Sequence, residues 1–313
     1  MKTVALAGGV GGAKLAEGLA QVIDPQDLTI VVNVGDDFDH LGLHICPDLD
    51  TVCYTLGGIA NPATGWGRAA ESWQAMQTLS ELGGPTWFRL GDLDLGLHLE
   101  RTRRLSLGQP LSAITAEFCQ AWGIGPSVLP VSDDFVPTWV YTEEGELPFQ
   151  EYFVHRQCQP RVSGFLFAGA DQAHLAPGVL DALTDAQRIV ICPSNPWVSV
   201  DPILAIPGVR QAIGARQRPV VAVSPIIRGQ TVKGPAAKMF AELEIDPTAA
   251  AVARHYGPLL TGFVLDRLDA DQASEIEKLN IRPLTTDTLM KDPADRRRLA
   301  QEVLDFASEL DAR

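Results

Sequence analysis

Cysteine is scarce in this chain and follows no pattern. Cys46, Cys53, Cys119, Cys158 and Cys192 are an odd number, with no CxxC pair and no zinc-type spacing. That excludes a disulfide framework of the secreted kind, and reads as reduced, mostly buried thiols in a cytoplasmic protein. Long apolar runs are also missing: no stretch of about 18 occurs, so no membrane span is expected. The apolar stretch after Met1 is too short and too glycine-rich for a signal peptide. Basic charge is in deficit, with 25 Lys and Arg against 39 Asp and Glu and a formal net charge of -14. A surface of that sign repels a polyphosphate backbone and argues against nucleic acid as a partner. It leaves room for a small anion held by backbone amides or by a bound cation.

What is present is ordinary globular material, 313 residues with 46% hydrophobic and 20% charged. Short apolar runs at 3–7, 28–33, 164–168, 188–192, 219–223 and 262–265 have the character of parallel strands buried on both faces. Most are followed by a turn and a helix-like segment, the alternation of βαβ units. The expected fold is therefore α/β, a mainly parallel sheet with helices on both faces. Chemistry should gather in the loops after the strand carboxyl ends, at 8–14, 34–50, 193–201 and 224–233. The middle differs. Helices are expected over 67–82 and 111–122, and strands at 138–141 and 151–155 flank the turn Glu143-Glu144-Gly145 as a hairpin. Residues 1–65 and 161–313 read as the nucleotide-binding core, and 66–160 as an inserted helical and β-hairpin subdomain. No repeat or Gly/Ser linker divides the two.

The first strand ends in Gly8-Gly9-Val10-Gly11-Gly12-Ala13-Lys14. Glycines are needed where backbone approaches a phosphate closely, and the helix that follows adds a favourable partial charge. A Walker A loop would need Ser or Thr after Lys14, where Leu15 stands, and a dinucleotide fingerprint would need glycine where Lys14 stands. The anion is left open, and a ligand-free strand-to-helix turn is the plain alternative.

Asp36, Asp37, Asp39, Asp48 and Asp50 crowd fifteen residues after the second strand. Such crowding is costly unless something positive joins it, and Mg²⁺ suits carboxylates combined with phosphate oxygens. Asp48 and Asp50 would diverge on an extended chain but could share a pocket at a helix start; either could also cap a helix over 51–56. His40 and His44, four apart, would suit a transition metal on a helix, but Gly42 and the missing HExxH glutamate favour supporting or packing roles.

These two segments, with Trp87-Phe88-Arg89-Leu90-Gly91-Asp92, Pro193-Ser194-Asn195-Pro196 and Ser224-Pro225-Ile226-Ile227 leading to Val232-Lys233-Gly234-Pro235, run in an order that resembles the 2-phospho-L-lactate transferase (CofD/FbiA) family across essentially the whole chain. The resemblance implies a Rossmann-like, Mg²⁺-dependent, commonly dimeric enzyme of coenzyme F-420 assembly. The terminal hydroxyl of a deazaflavin alcohol would attack a guanosine diphospho-acid, with GMP leaving; the acid could be phospholactate, phosphoenolpyruvate or phosphoglycerate. It implies that Asp50 and Arg89 contact the deazaflavin. The residues themselves fit such a transfer, which needs positioning and charge neutralisation. Asp50, with Asp48 or Asp37, would hold the metal. Gly9, Gly11, Gly12 and Lys14 would serve the nucleotide phosphates, joined by Ser194, Asn195 and Lys233. Arg89 could otherwise pair with Asp92 or Asp94, and Trp66, Trp73 and Trp87 could wall a planar ligand or belong to the core. Two other readings are a nucleotide-sugar-binding regulator, which would lack the Asp50 and Arg89 pairing, and an NAD-dependent dehydrogenase.

Overall fold

The apolar runs form the middle of a seven-stranded sheet in the computed structural model, which describes residues 1–215 and 218–311. Its strands are β1 (Thr3–Ala7), β2 (Leu28–Val32), β3 (Ser127–Pro130), β4 (Arg188–Ile191), β5 (Val220–Val223), β6 (Gly262–Asp266) and β7 (Arg282–Thr286). Across the sheet they run β7-β6-β5-β4-β1-β2-β3, every pair parallel. This is the doubly wound order 3-2-1-4-5-6 with one strand added, and its reversal of winding beside β1 puts helices on both faces. Val4, Leu6, Ile30, Val31, Ile189, Val190, Val221 and Val264 are almost fully enclosed, as strands covered on both sides require. Each such side chain contributes about 1.5–3 kcal/mol of burial.

Helix α1 (Gly9–Ala20) leaves β1 and packs on α2 (Pro47–Leu56) and on the C-terminal helix Pro293–Asp311. Gly18 stands mid-helix, where glycine costs about 1 kcal/mol against alanine. The crossing explains it, because a Cβ there would lie 2.2 Å from the carbonyl oxygen of Arg296. Among the described residues no helix is long and apolar enough to cross a membrane.

Several expectations change. The run at 164–168 is not a core strand: Val162–Phe167 pairs antiparallel with Thr138–Thr142, which pairs in turn with Gly145–Pro148. Its exposed Ser163 and Leu166 show that only part of it is covered. The hairpin is real, but its second strand is Gly145–Pro148, and Glu151–His155 is a wide helical turn. The helix expected over 67–82 shortens to Gln74–Glu81, since Gly67 and Ala70 take positive φ. Leu111–Ala121 is helical as expected, and residues 87–88 lie in a bend. The central sheet takes β3 from within the stretch 66–160.

Replacing Gly18 with valine will force α1 off the C-terminal helix and lower stability by about 1–3 kcal/mol. Urea denaturation will show it; an unchanged midpoint would mean that the two helices are not in close contact.

Candidate functional site

β1 and β4 are neighbours whose following segments depart on different sides, and the loops at their carboxyl ends meet. Ser194 joins them: its Oγ donates to the Gly8 carbonyl at 2.8 Å and accepts from the Gly8 amide at 3.3 Å. A Cβ at Gly11 would lie 2.2 Å from the Pro193 carbonyl oxygen, and one at Gly12 would lie 2.7 Å from Ser194 Oγ. These two glycines are therefore required by loop-to-loop contact. Gly9 opens α1 with φ +62°, and its amide donates to Asp48 Oδ1 at 2.7 Å.

Asp48 is the centre of a buried knot. The side chain of Asn33, at the end of β2, donates through Nδ2 to Asp48 Oδ2 at 2.9 Å, to Asp36 Oδ1 at 3.2 Å and to the Val198 carbonyl at 3.0 Å. Burial pushes Asp48 up to about 6. Burial, then the charges of Asp48 and Asp37, hold Asp36 well above the carboxylate range. Two carboxylates sharing one amide group, with no side-chain cation bonded to either among the described residues, form a site short of positive charge.

Helix α2 begins at Pro47, four residues earlier than expected, so Asp48 and Asp50 stand inside its first turn. Two residues along a helix are roughly 200° apart around its axis, which sends them to different partners. Asp50 turns to Arg101 on α3 (Asp92–Ser106), whose guanidinium grips both carboxylate oxygens, with Nη1 at 3.1 Å from Oδ2. Arg101 and His98 are buried, 3% exposed each. Burial lowers His98 to about 4, so the imidazole is neutral and its Nδ1 accepts from Arg101 Nη1 at 3.2 Å. Asp37 turns a third way, its Oδ2 3.8 Å from His44 Nε2. The three aspartates expected to share one cation thus have separate surroundings.

The remaining expected residues lie around this centre. Lys14 Nζ donates to the Met290 carbonyl at 3.0 Å; burial, then Arg296 and Lys233, lower its pKa. Lys233 Nζ donates to the Thr64 carbonyl, and a Cβ at Gly65 would lie 2.8 Å from Val10 Cγ1 and 3.2 Å from that Nζ. The loop around residue 64 therefore covers the first turn of α1. Asn195 caps the next turn, accepting from the Trp197 amide at 3.1 Å. Arg89 is exposed, with its guanidinium 4.3 Å from the centre of the Trp73 ring; Asp92 and Asp94 take other partners, including the Tyr54 hydroxyl on Asp94 at 2.6 Å. Trp66 and Trp73 are open, while Trp87 stacks on His155. His40 and His44 lie on a hairpin and not a helix, with His40 facing Trp87 and His44 facing Asp39.

Sequence reasoning missed Arg101, His98 and Asn33 as site residues, and placed Asp36 in the acidic cluster without singling it out as a ligand. The i, i+3 spacing of His98 and Arg101 marks one helix face, but nothing local ties that face to Asp50.

A family model for 2-phospho-L-lactate transferase CofD matches residues 3–303. A phosphoenolpyruvate transferase of Streptomyces griseus is 45% identical, covering 100% of each chain. One of Streptomyces coelicolor is 43% identical over 99% of each. A crystal structure of a UPF0052 family protein from Bacillus halodurans superposes with a TM-score of 0.64 over 97% of this chain and 98% of its own, at 16% identity, a likeness of fold.

Removing one partner of a buried ion pair leaves the other charge unpaired, at about 3–5 kcal/mol. Arg101→Met is expected to cost that much in chemical denaturation, and adding Asp50→Asn should recover most of it. A single variant as stable as wild type would show that the pair is solvated.

Proposed function

The chain belongs to the 2-phospho-L-lactate transferase CofD family, and on that basis we propose that it transfers a phosphoenolpyruvyl group from a guanosine diphospho-acid to the terminal ribityl hydroxyl of 7,8-didemethyl-8-hydroxy-5-deazariboflavin, releasing GMP in coenzyme F-420 assembly. Phosphoenolpyruvyl is preferred over phospholactyl and phosphoglyceryl because relatives matching the chain end to end carry that name. The observation that carries the reading is the buried Asp48–Asp36 pair set directly against the first turn of α1.

The first amides of a helix lack helical partners, and Asp48 takes only that of Gly9. The amides of Val10, Gly11 and Gly12 are the natural cradle for the donor's phosphates, with Lys14 and Lys233 supplying charge nearby. Magnesium fits the donor set: two buried carboxylates raised by burial, without a side-chain cation partner among the described residues, beside a phosphate cradle. Asp48 and Asp36 would hold it; the earlier candidates Asp50 and Asp37 are turned to other partners. Bound there, Mg²⁺ would neutralise charge on the diphosphate.

Asp50, held in one orientation by Arg101, accepts a hydrogen bond from the deazaflavin and positions its hydroxyl. As the new O–P bond forms and the bond to GMP breaks, the hydroxyl proton passes to a carboxylate of the cluster. Arg89 on Trp73 offers a flat cationic surface for the tricyclic ring.

Incubation with Mg²⁺, the deazaflavin alcohol and each of the three donors, followed by GMP release, should give the highest kcat/KM with the phosphoenolpyruvyl donor. Asp50→Ala will abolish turnover in a folded protein, and wild-type rates in that variant would remove Asp50 from the reaction. Arg89→Ala will weaken deazaflavin binding more than nucleotide binding, whereas equal losses would make it structural.

A second prediction concerns pH. Folding raises Asp48 from 3.8 to about 6, so the metal-free folded state binds its proton more tightly than the unfolded chain. Stability tied to this group is complete below about pH 4 and is lost as pH rises through about 6. Mg²⁺ with GDP should therefore raise the melting temperature more at about pH 7.5 than at about pH 5, and Asp48→Asn should flatten that difference. An increment independent of pH would place the cation elsewhere.

A further inference from the structure

The hairpin after β2 carries chemistry that the transfer does not use. Its strands Phe38–His40 and Leu43–Ile45 pair with Phe38 opposite Ile45 and Asp39 opposite His44. Opposed residues share a face, and faces alternate along each strand. Phe38, Leu43 and Ile45 lie on one face, packed with Met76, Phe88 and Leu90. The other face carries Asp39 and His44 and, one step beyond the ladder, Asp37 and Cys46.

On that face a carboxylate oxygen of Asp37, a ring nitrogen of His44 and the sulfur of Cys46 lie within 4.8 Å of one another. Asp37 is 3% exposed and Cys46 fully enclosed. Among the described residues Asp37 Oδ1 finds no hydrogen-bond partner, although it is buried. His44 Nδ1 meets Asp39 Oδ1 at 2.9 Å, which leaves Nε2 turned inward, 3.8 Å from Asp37 Oδ2. We propose that Asp37, His44 and Cys46 form a binding site for a divalent transition metal of the zinc and cobalt class, with a fourth coordination position open.

Four observations support it. Three protein ligands of mixed type with one free position are a recurrent zinc arrangement. Thiolate and imidazole select such ions over Mg²⁺, which belongs with the all-oxygen pair Asp48 and Asp36. A carboxylate behind a ligating imidazole fixes its tautomer and orientation, and Asp39 stands in that place behind His44. Asp37 Oδ1, buried and without a hydrogen-bond partner among the described residues, is a carboxylate oxygen free to take a cation. Ligand atoms on a tetrahedral zinc sit roughly 3.3–3.8 Å apart, so the three need close by only about 1 Å. On binding, the Cys46 S–H bond breaks, the thiolate bonds to the metal, and the proton leaves to solvent. Arg101, whose charge reaches both Asp37 and Cys46, is already matched by Asp50.

The test is a cobalt titration of the metal-free, full-length protein under reducing conditions with Mg²⁺ in excess, a readout independent of transfer activity. One equivalent of Co²⁺ should produce a sulfur-to-cobalt charge-transfer band and strong four-coordinate ligand-field bands, both bleached by Zn²⁺. Cys46→Ser should abolish the charge-transfer band. Asp39 is 71% exposed on its side chain, so Asp39→Asn will fold, and it should weaken cobalt binding about tenfold or more. No band at one equivalent would overturn the proposal, as would a charge-transfer band that survives Cys46→Ser, which would place the metal on another cysteine.

Discussion

Everything at the carboxyl edge of this sheet depends on one buried carboxylate. Asp48 accepts from the Gly9 amide and from Asn33, and Asn33 in turn holds Asp36 and the Val198 carbonyl. Through these bonds the loops after β1, β2 and β4 and the start of α2 become one rigid edge. A charged group so enclosed is stable only if hydrogen bonds and a counter-charge replace its lost water. Hydrogen bonds are supplied by the chain. The counter-charge is what the proposed substrate-bound cation would supply, so on that reading the demand of the fold and the demand of the reaction coincide.

On the proposed reading, the same edge answers how a chain of net charge -14 would handle anionic substrates. Global charge weakens over distance by screening, about 8–10 Å at ordinary salt, whereas the helix amides and the two lysines would act at contact. Negative charge is divided by role. Among the described residues Asp48 and Asp36 have no side-chain cation partner, while Asp50 is matched by Arg101. A matched aspartate is a fixed acceptor and a poor competitor for metal. The helical offset between positions 48 and 50 produces this division from two residues of the same type.

The core of the fold was readable because β1, β2, β4, β5 and β6 are short, aliphatic and bounded by turns. The edge strands were not. Ser127–Pro130 is short and Arg282–Thr286 is half-polar, since an edge or an open face does not require continuous apolar character. Val162–Phe167 misled for the opposite reason: its composition is that of a core strand, and only its partners assign it to the small sheet. In the site, Gly8 to Gly12 and Asp48 were legible as a glycine-rich turn set against acids. Arg101 was hidden, since its pairing joins α3 to the first turn of another helix, 51 residues away. The histidine spacing of four would suit a helix, but Gly42, already a mark against one in the sequence, turns the chain and makes Asp39 and His44 neighbours instead.

The account turns on where a cation sits relative to α1. Crystals grown with GDP and Mn²⁺ in place of Mg²⁺, measured for anomalous scattering, would locate it directly. The account predicts a single strong peak between the Asp48 and Asp36 carboxylates and the diphosphate, with the phosphates on the amides of Val10 to Gly12. A peak held by Asp50, or a diphosphate bound away from that turn, would contradict it.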